Sequence, residues 1–409
     1  MSAATAEPVC VTVPPPVGRD RMVQVWMLAT TVSWFGDALW TVALAVTSVQ
    51  TLTPALAGVV LGLETLPQAV MVLLGGVIAD RYDTRRVLVT GQVGQAMVML
   101  LGTVAWTAGL RGAPTLMGIA LAFGIATGLT VPAGMTLARQ LVRSQDLSKV
   151  IGWNQVANRT ARLLGAPVGG VLVAWQGLSA AMLVNALSFV VVATTLSLVV
   201  RVRFLLPRTA GESWLRSLTG GLGYLKRTPS ARLLVLALVG LNVFVTPVVA
   251  LGVALRVSAS GWGSVWVGIA EAALAAGAIA GSLLAIRHPP SRPARTALFV
   301  LVVEGAAVAA VAVDARPVLV AAMAIIGLAA GLASVWLAGI FQRTVATSHL
   351  GRVSSILVLG DRTLVPLALP AFGALAAGAN LFAATGLFGL GMGLLCLALA
   401  TRPAIARLT

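Results

Sequence analysis

The chain has 409 residues, 58% of them hydrophobic and only 10% charged, with a mean hydropathy of +0.97. That excludes a water-soluble globular protein and reads as a polytopic α-helical membrane protein, in which helices satisfy their own backbone groups. The net charge of +16 could fit nucleic acid, but its distribution along the chain points to membrane topology instead.

Spans of about 20 residues are expected for a bilayer. Twelve are legible in chain order: 23–48, 55–79, 87–110, 114–138, 150–174, 178–200, 233–255, 264–286, 296–313, 317–341, 353–377 and 380–400. With the N-terminus inside, 22 of the 28 basic residues fall in cytoplasmic segments. The opposite side holds only Arg111, Arg256 and Arg316, and Arg159, Arg162 and Arg362 fall within spans. This asymmetry predicts both termini in the cytoplasm. Pro14, Pro15 and Pro16 interrupt the only apolar run before the first span, so that span itself is expected to direct insertion.

The two cysteines, Cys10 and Cys396, give no disulfide framework or metal site. His288 and His349 both fall in loops, and no HExxH, P-loop, CxxC or nucleophile-elbow motif occurs. The expectation is a protein that is not an enzyme, with no catalytic residues, cofactor, metal or nucleic-acid partner.

The chain repeats itself. Residues 124–174 align without a gap to 327–377, with 14 of 51 pairs identical. The pairs Arg159/Arg362, Thr160/Thr363, Pro167/Pro370 and Gly170/Gly373 carry the signal, since Ala, Leu and Val matches are cheap in an apolar chain. Earlier spans repeat as Gly62/Gly268, Gly75/Gly281 and Arg81/Arg287. Two parallel six-span repeats follow: an N-terminal half 1–200 and a C-terminal half 232–409, joined by 201–231. In that linker Trp214, Leu215, Leu218, Leu222 and Leu225 recur at helical spacing among basic residues, predicting an amphipathic helix on the cytoplasmic surface.

Between the second and third spans stand Gly76, Asp80, Arg81, Arg85 and Arg86, in the order Gly-x-x-x-Asp-Arg-x-x-x-Arg-Arg. This resembles the cytoplasmic loop of major facilitator superfamily transporters, where the Asp and the Arg residues form a latch between helices that separate and rejoin. With Ser33-Trp34-Phe35-Gly36-Asp37 in the first span and Gly223-Tyr224-Leu225-Lys226-Arg227-Thr228-Pro229 in the linker, the chain looks like the branch holding enterobactin-type siderophore exporters and macrolide-efflux proteins. The fifth span carries Gly165, Pro167, Gly169 and Gly170, similar to the Gly-Pro segment of the family's antiporters, with Pro one residue late. Small residues there permit close helix approach, and Pro167 removes a backbone donor.

Ionisable residues inside a bilayer are expensive and face protein or water. At about 1.5 Å per residue, Asp37, Glu64 and Glu271 lie roughly 20–25 Å from the cytoplasmic ends. The resemblance packs the fifth span on the eighth and the eleventh on the second. It therefore pairs Glu271 with Arg159 or Arg162, and Glu64 with Arg362. Asp361 reads as compensating its neighbour Arg362, and Glu304 as structural. Trp34, one turn from Asp37 on the same face, joins Asn154, Asn158 and Asn242 as candidate groups of the substrate cavity.

The resemblance implies a monomeric twelve-helix transporter of the bacterial cytoplasmic membrane, exporting a hydrophobic or amphiphilic small molecule such as a drug, siderophore or natural product. Proton antiport with alternating access is the expected mechanism, with Asp37, Glu64 and Glu271 as the protonatable groups. Burial and an approaching Arg act in opposite senses on a carboxylate's proton affinity, so a conformational change can alternate it. Flipping of a lysophospholipid, and a sensor of the same fold that does not transport, are the alternatives.

Overall fold

The computed structural model describes residues 15–204 and 214–402; the side chains of 72–81, 144, 148, 214–218, 347, 348 and 351 lie outside that description. In the N-terminal half, α1 (Arg21–Thr51), α2 (Pro54–Arg81), α3 (Thr84–Thr107), α4 (Ala113–Leu141) and α5 (Ser144–Leu198) follow one another through short turns. At 55 residues, α5 would be about 80 Å long if straight, far beyond a hydrocarbon core of about 30 Å. It is broken at Gly177, whose φ of 72° and ψ of −169° suit a residue without Cβ. Its two arms are the fifth and sixth spans.

The helix α6 (Trp214–Arg227) leads into the C-terminal half. There α7 (Pro229–Pro247) continues through a π-helical turn, Val248–Gly252, into α8 (Val253–Ala259). Pro247 lacks the N–H that an α-helix needs, and the wider turn accommodates the fault. Then come α9 (Val265–Arg287), α10 (Pro293–Ala310), α11 (Arg316–Thr344), α12 (Thr347–Gly378) and α13 (Leu381–Ala400). Among the described residues, 11 helices are long and apolar enough to cross a membrane, and the two arms of α5 make twelve spans in two six-helix halves.

Helix ends are set by local chemistry. Asp83 accepts from Arg86 N at 2.8 Å and Asn380 from Ala383 N at 2.7 Å, N-caps worth about 1 kcal/mol each. Proline opens α2, α7 and α10, where its missing donor costs nothing.

Asp20, at the start of α1, is ion-paired to Arg203 just past α5, and Arg203 N donates to Gln140 O at the end of α4. These ends define the terminal face of the bundle, where both described chain ends lie. On the same face, α6 packs on α12 through Tyr224 stacked on His349, ring centroids 4.6 Å apart. Large apolar side chains such as Leu101, Val104, Leu187 and Leu390 point outward at 60% exposure or more, a surface that suits lipid and not water.

Packing differs between the two ends. On the distal side one apolar core runs through both halves, from Trp40, Leu61 and Met99 to Leu251, Met323 and Phe372. On the terminal side each half has its own core: Val23, Leu137 and Leu196 in one, Leu234, Leu298 and Leu337 in the other. Backbones of the two halves meet distally. A Cβ on Gly268 of α9 would lie 2.5 Å from Pro167 Cα of α5, and one on Gly170 2.6 Å from Ser264 O. Ser264 Oγ also donates to Gly170 O at 2.8 Å. The halves are therefore joined distally, and the crevice between them opens toward the terminal face.

Candidate functional site

Two cavities lie in and beside that crevice. One, of about 340 Å³, is shared by both halves and lined by Thr41 of α1, Arg159 and Arg162 of α5, Glu271 and Ser282 of α9 and Ser334 of α11. The other, of about 640 Å³, sits inside the N-terminal half among α1, α3, α4 and both arms of α5.

Close packing fixes Asp37 in the wall of the larger cavity. A Cβ on the preceding Gly36 would meet Asn185 Oδ1 at 2.5 Å and Ser188 Oγ at 2.7 Å, so α1 lies hard against the second arm of α5. Asp37 Oδ1 is shut off from solvent and accepts no hydrogen bond, and Nδ2 of neighbouring Asn185 is also unpaired. One helical turn on, Trp40 is fully buried, sets its ring edge-on to Phe123 at 5.9 Å, and donates Nε1–H to Glu64 Oε1 at 3.1 Å.

Arg162 is the cation these acids share. It acts electrostatically on Asp37, Glu64 and Glu271 alike. Among the described residues, ion pairs within 4.0 Å join Lys149 to Asp146, Arg203 to Asp20 and Arg256 to Asp314; none joins Arg162 to an acid. The expected pairing of Glu271 with Arg159 or Arg162 thus takes the form of a shared cavity without a direct contact. Arg159 spends a donor on Ser282 Oγ at 3.3 Å, bridging the crevice. Glu64 has no ion pair with Arg362, and its observed partner is Trp40. Arg362 is electrostatically coupled to Asp361, whose Oδ1 accepts from Asn242 Nδ2 at 3.1 Å.

Trp34, Asn154 and Asn158 line the larger cavity as expected. Asn242 does not; it is tied to Asp361 in the other half. Sequence reading missed Gln92 and Gln95 of α3, which face the same cavity. Two amides three residues apart on one face of an apolar span were the available signal. Glu304 is 2% exposed on α10 and lines neither cavity.

The side chains of Gly76, Asp80 and Arg81 lie outside the described residues. Arg85 donates Nε–H to Leu196 O at 2.6 Å and also bonds Ser197 O, at the end of α5. Together with Asp83, Arg86 and Arg201 it rings a surface hollow on the terminal face. In the fifth span Gly165 and Gly169 abut Phe35 and Leu39 of α1, while Pro167 and Gly170 abut α9. This segment packs α5 on both of its neighbours at once.

A sequence profile described as Major Facilitator Superfamily matches residues 26–362. The chain belongs to the major facilitator superfamily. It is 24% identical over 167 residues to an uncharacterized MFS-type transporter, YfiS, of Bacillus subtilis (strain 168), an alignment covering 40% of this chain and 39% of that protein. Among solved structures, it resembles the nucleoside transporter NupG with a TM-score of 0.73 at 13% identity, covering 93% of this chain and 98% of that one. A bacterial homologue of the iron transporter ferroportin in an inward-facing state matches with a TM-score of 0.66 at 17% identity, over 93% and 99% of the two chains. At these identities the structural likeness shows the fold. The protein is a membrane-embedded member of a transporter family whose fold implies a small-molecule substrate.

Proposed function

We propose that this protein exports a hydrophobic or amphiphilic small molecule by proton antiport, working as a monomer with alternating access. The observation that carries the reading is the placement of Asp37, Glu64 and Glu271 around Arg162, in and beside a crevice open at one end. Arg159 and Arg162 share the smaller cavity with Glu271 and Glu64 accepts from Trp40, which leaves Asp37, whose Oδ1 accepts no hydrogen bond, to carry the exchangeable proton. Opening the distal side would part α5 from α9, separate Arg162 from Glu271 and redistribute that proton.

The placement of basic residues supports a cytoplasmic terminal face, both termini inside and residence in the bacterial cytoplasmic membrane. On this orientation the structure is inward-open. The division into 1–200, linker 201–231 and 232–409 supplies two bodies that rock about the crevice, with Gly76, Asp80, Arg81, Arg85 and Arg86 latching the cytoplasmic side when the distal side opens. The loop and first-span residues support the enterobactin-exporter and macrolide-efflux branch. Efflux of candidate lipophilic substrates into inverted vesicles, with and without a proton gradient, tests the proposal. Accumulation that collapses with the gradient is expected; gradient-independent movement of the same substrates would overturn the antiport reading.

A further inference from the structure

The two halves share one fold but treat the same internal position differently. In burial pattern, α3 and α10 match closely. Buried Gln95, Ala96, Met99 and Thr103 correspond to buried Ala297, Leu298, Leu301 and Gly305, and exposed Val93, Met97 and Leu101 to exposed Arg295, Phe299 and Val303. In this register Gln92 falls on Ala294 and Gln95 on Ala297. The repeat through α4 and α11 places Thr130 on Ala333 and Gly134 on Leu337. In the C-terminal half these equivalents are 2% exposed or less and belong to a filled apolar core. In the N-terminal half they line the cavity of about 640 Å³.

The fold therefore does not need this hollow, since its own second copy fills it with alanine and leucine. The polar version carries a cost. Oxygens of Asp37, Gln92, Gln95 and Asn154, all on residues lining the cavity, are shut off from solvent and accept no hydrogen bond. A buried acceptor left unpaired loses its hydration without compensation and destabilises the fold. A ligand that brings several hydrogen-bond donors would recover that cost after small rotations of the amide ends. Trp34 supplies an apolar face in the same wall, the buried Trp26 borders it, and one basic side chain, Arg139, lines it as well. The volume is within the range of about 300–1,000 Å³ usual for small-molecule sites.

We propose that this cavity binds a neutral polyhydroxylated ring, a glycosyl group carried by the exported molecule. Such a ring offers hydroxyl donors at its edge to the amide oxygens, and an apolar C–H face to the Trp34 indole. This rests on the transport reading and adds the chemical class of the substrate's polar end. The remaining body of the molecule would extend into the shared cavity beside Glu271.

The test is equilibrium binding to the full chain in lipid nanodiscs, without a proton gradient. The probes share one aromatic body and differ in head: phenyl β-glucoside, phenyl β-glucuronide and phenethylamine. The glucoside is expected to bind at least about tenfold more tightly than either charged probe. Gly134→Leu installs the side chain that the C-terminal half already carries. A Cβ at Gly134 meets nothing within 4 Å, so this variant should fold and lose glucoside binding. Gln95→Ala, the second variant, should weaken it about tenfold. Equal or tighter binding of either charged probe, or wild-type glucoside affinity in both variants, would overturn the proposal. If the glucoside fails to bind while lipophilic substrates still enter vesicles on a proton gradient, the glycosyl site falls and the transport reading stands. If it binds as predicted but no substrate moves, the site stands and the transport reading falls.

Discussion

Trp40 on α1 donates its indole N–H to Glu64 Oε1 on α2 across 3.1 Å, and this bond ties the second of the three central carboxylates to the helix that carries the first. Trp40 is fully buried, and losing its N–H takes from Glu64 Oε1 the one hydrogen bond it is seen to accept. Trp40→Phe keeps the apolar contact with Phe123 and removes only the N–H. The expected loss is about 1–3 kcal/mol, the cost of a buried polar group left unpaired, measured as unfolding in nanodiscs. Adding Glu64→Gln should recover part of it in a double-mutant cycle. Strict additivity of the two changes would show that the bond contributes nothing.

The distal contact between α5 and α9 leaves no room for a side chain at Gly268, where a Cβ would meet Pro167 Cα at 2.5 Å. Gly268→Leu must push the halves apart on that side. Single cysteines placed at the crevice should then become reactive to reagents added from the distal side, and transport should fall. Unchanged distal accessibility would mean that these helices are not the closure.

The proposed topology rests on the distribution of arginines and can be tested directly. Reporter fusions at residues 84 and 215 should read cytoplasmic, and fusions at 112 and 260 external. An external signal at 215 would break the arrangement of two six-span halves about a cytoplasmic linker.

The fold was largely legible because its signals are one-dimensional: apolar runs of membrane-spanning length, the Arg159/Arg362 and Pro167/Pro370 repeat, and Gly165 to Gly170 at a helix contact. The approach of α5 to α9 and of α2 to α12, expected from the family resemblance, appears in the backbone contacts at Gly268 and Gly58. What escaped depends on side-chain direction. Glu64 and Arg362 lie on packed helices, yet the partner Glu64 takes is the Trp40 indole of α1. Asn242 was read as a cavity group, but Asp361 on α12 holds it. Gln92 and Gln95 were visible as letters, and only their common cavity gives them meaning. The π-turn after Pro247 needed a backbone to be seen, although the proline was its cause.

The claim that the central carboxylates couple transport to protons is tested most directly at Asp37. It is the only acid within α1, no Arg in its transmembrane stretch can neutralise it, and its Oδ1 accepts no hydrogen bond. The measurement is substrate-driven proton release from the purified protein across pH, for wild type, Asp37→Asn, Glu64→Gln and Glu271→Gln. Asp37→Asn should release no proton while still binding substrate. Glu64→Gln and Glu271→Gln should still release protons, with reduced folding yield because each leaves Arg162 less compensated. Proton release by Asp37→Asn at the wild-type level, with its loss in Glu271→Gln, would move the coupling role to Glu271; release unchanged in every variant would contradict proton coupling altogether.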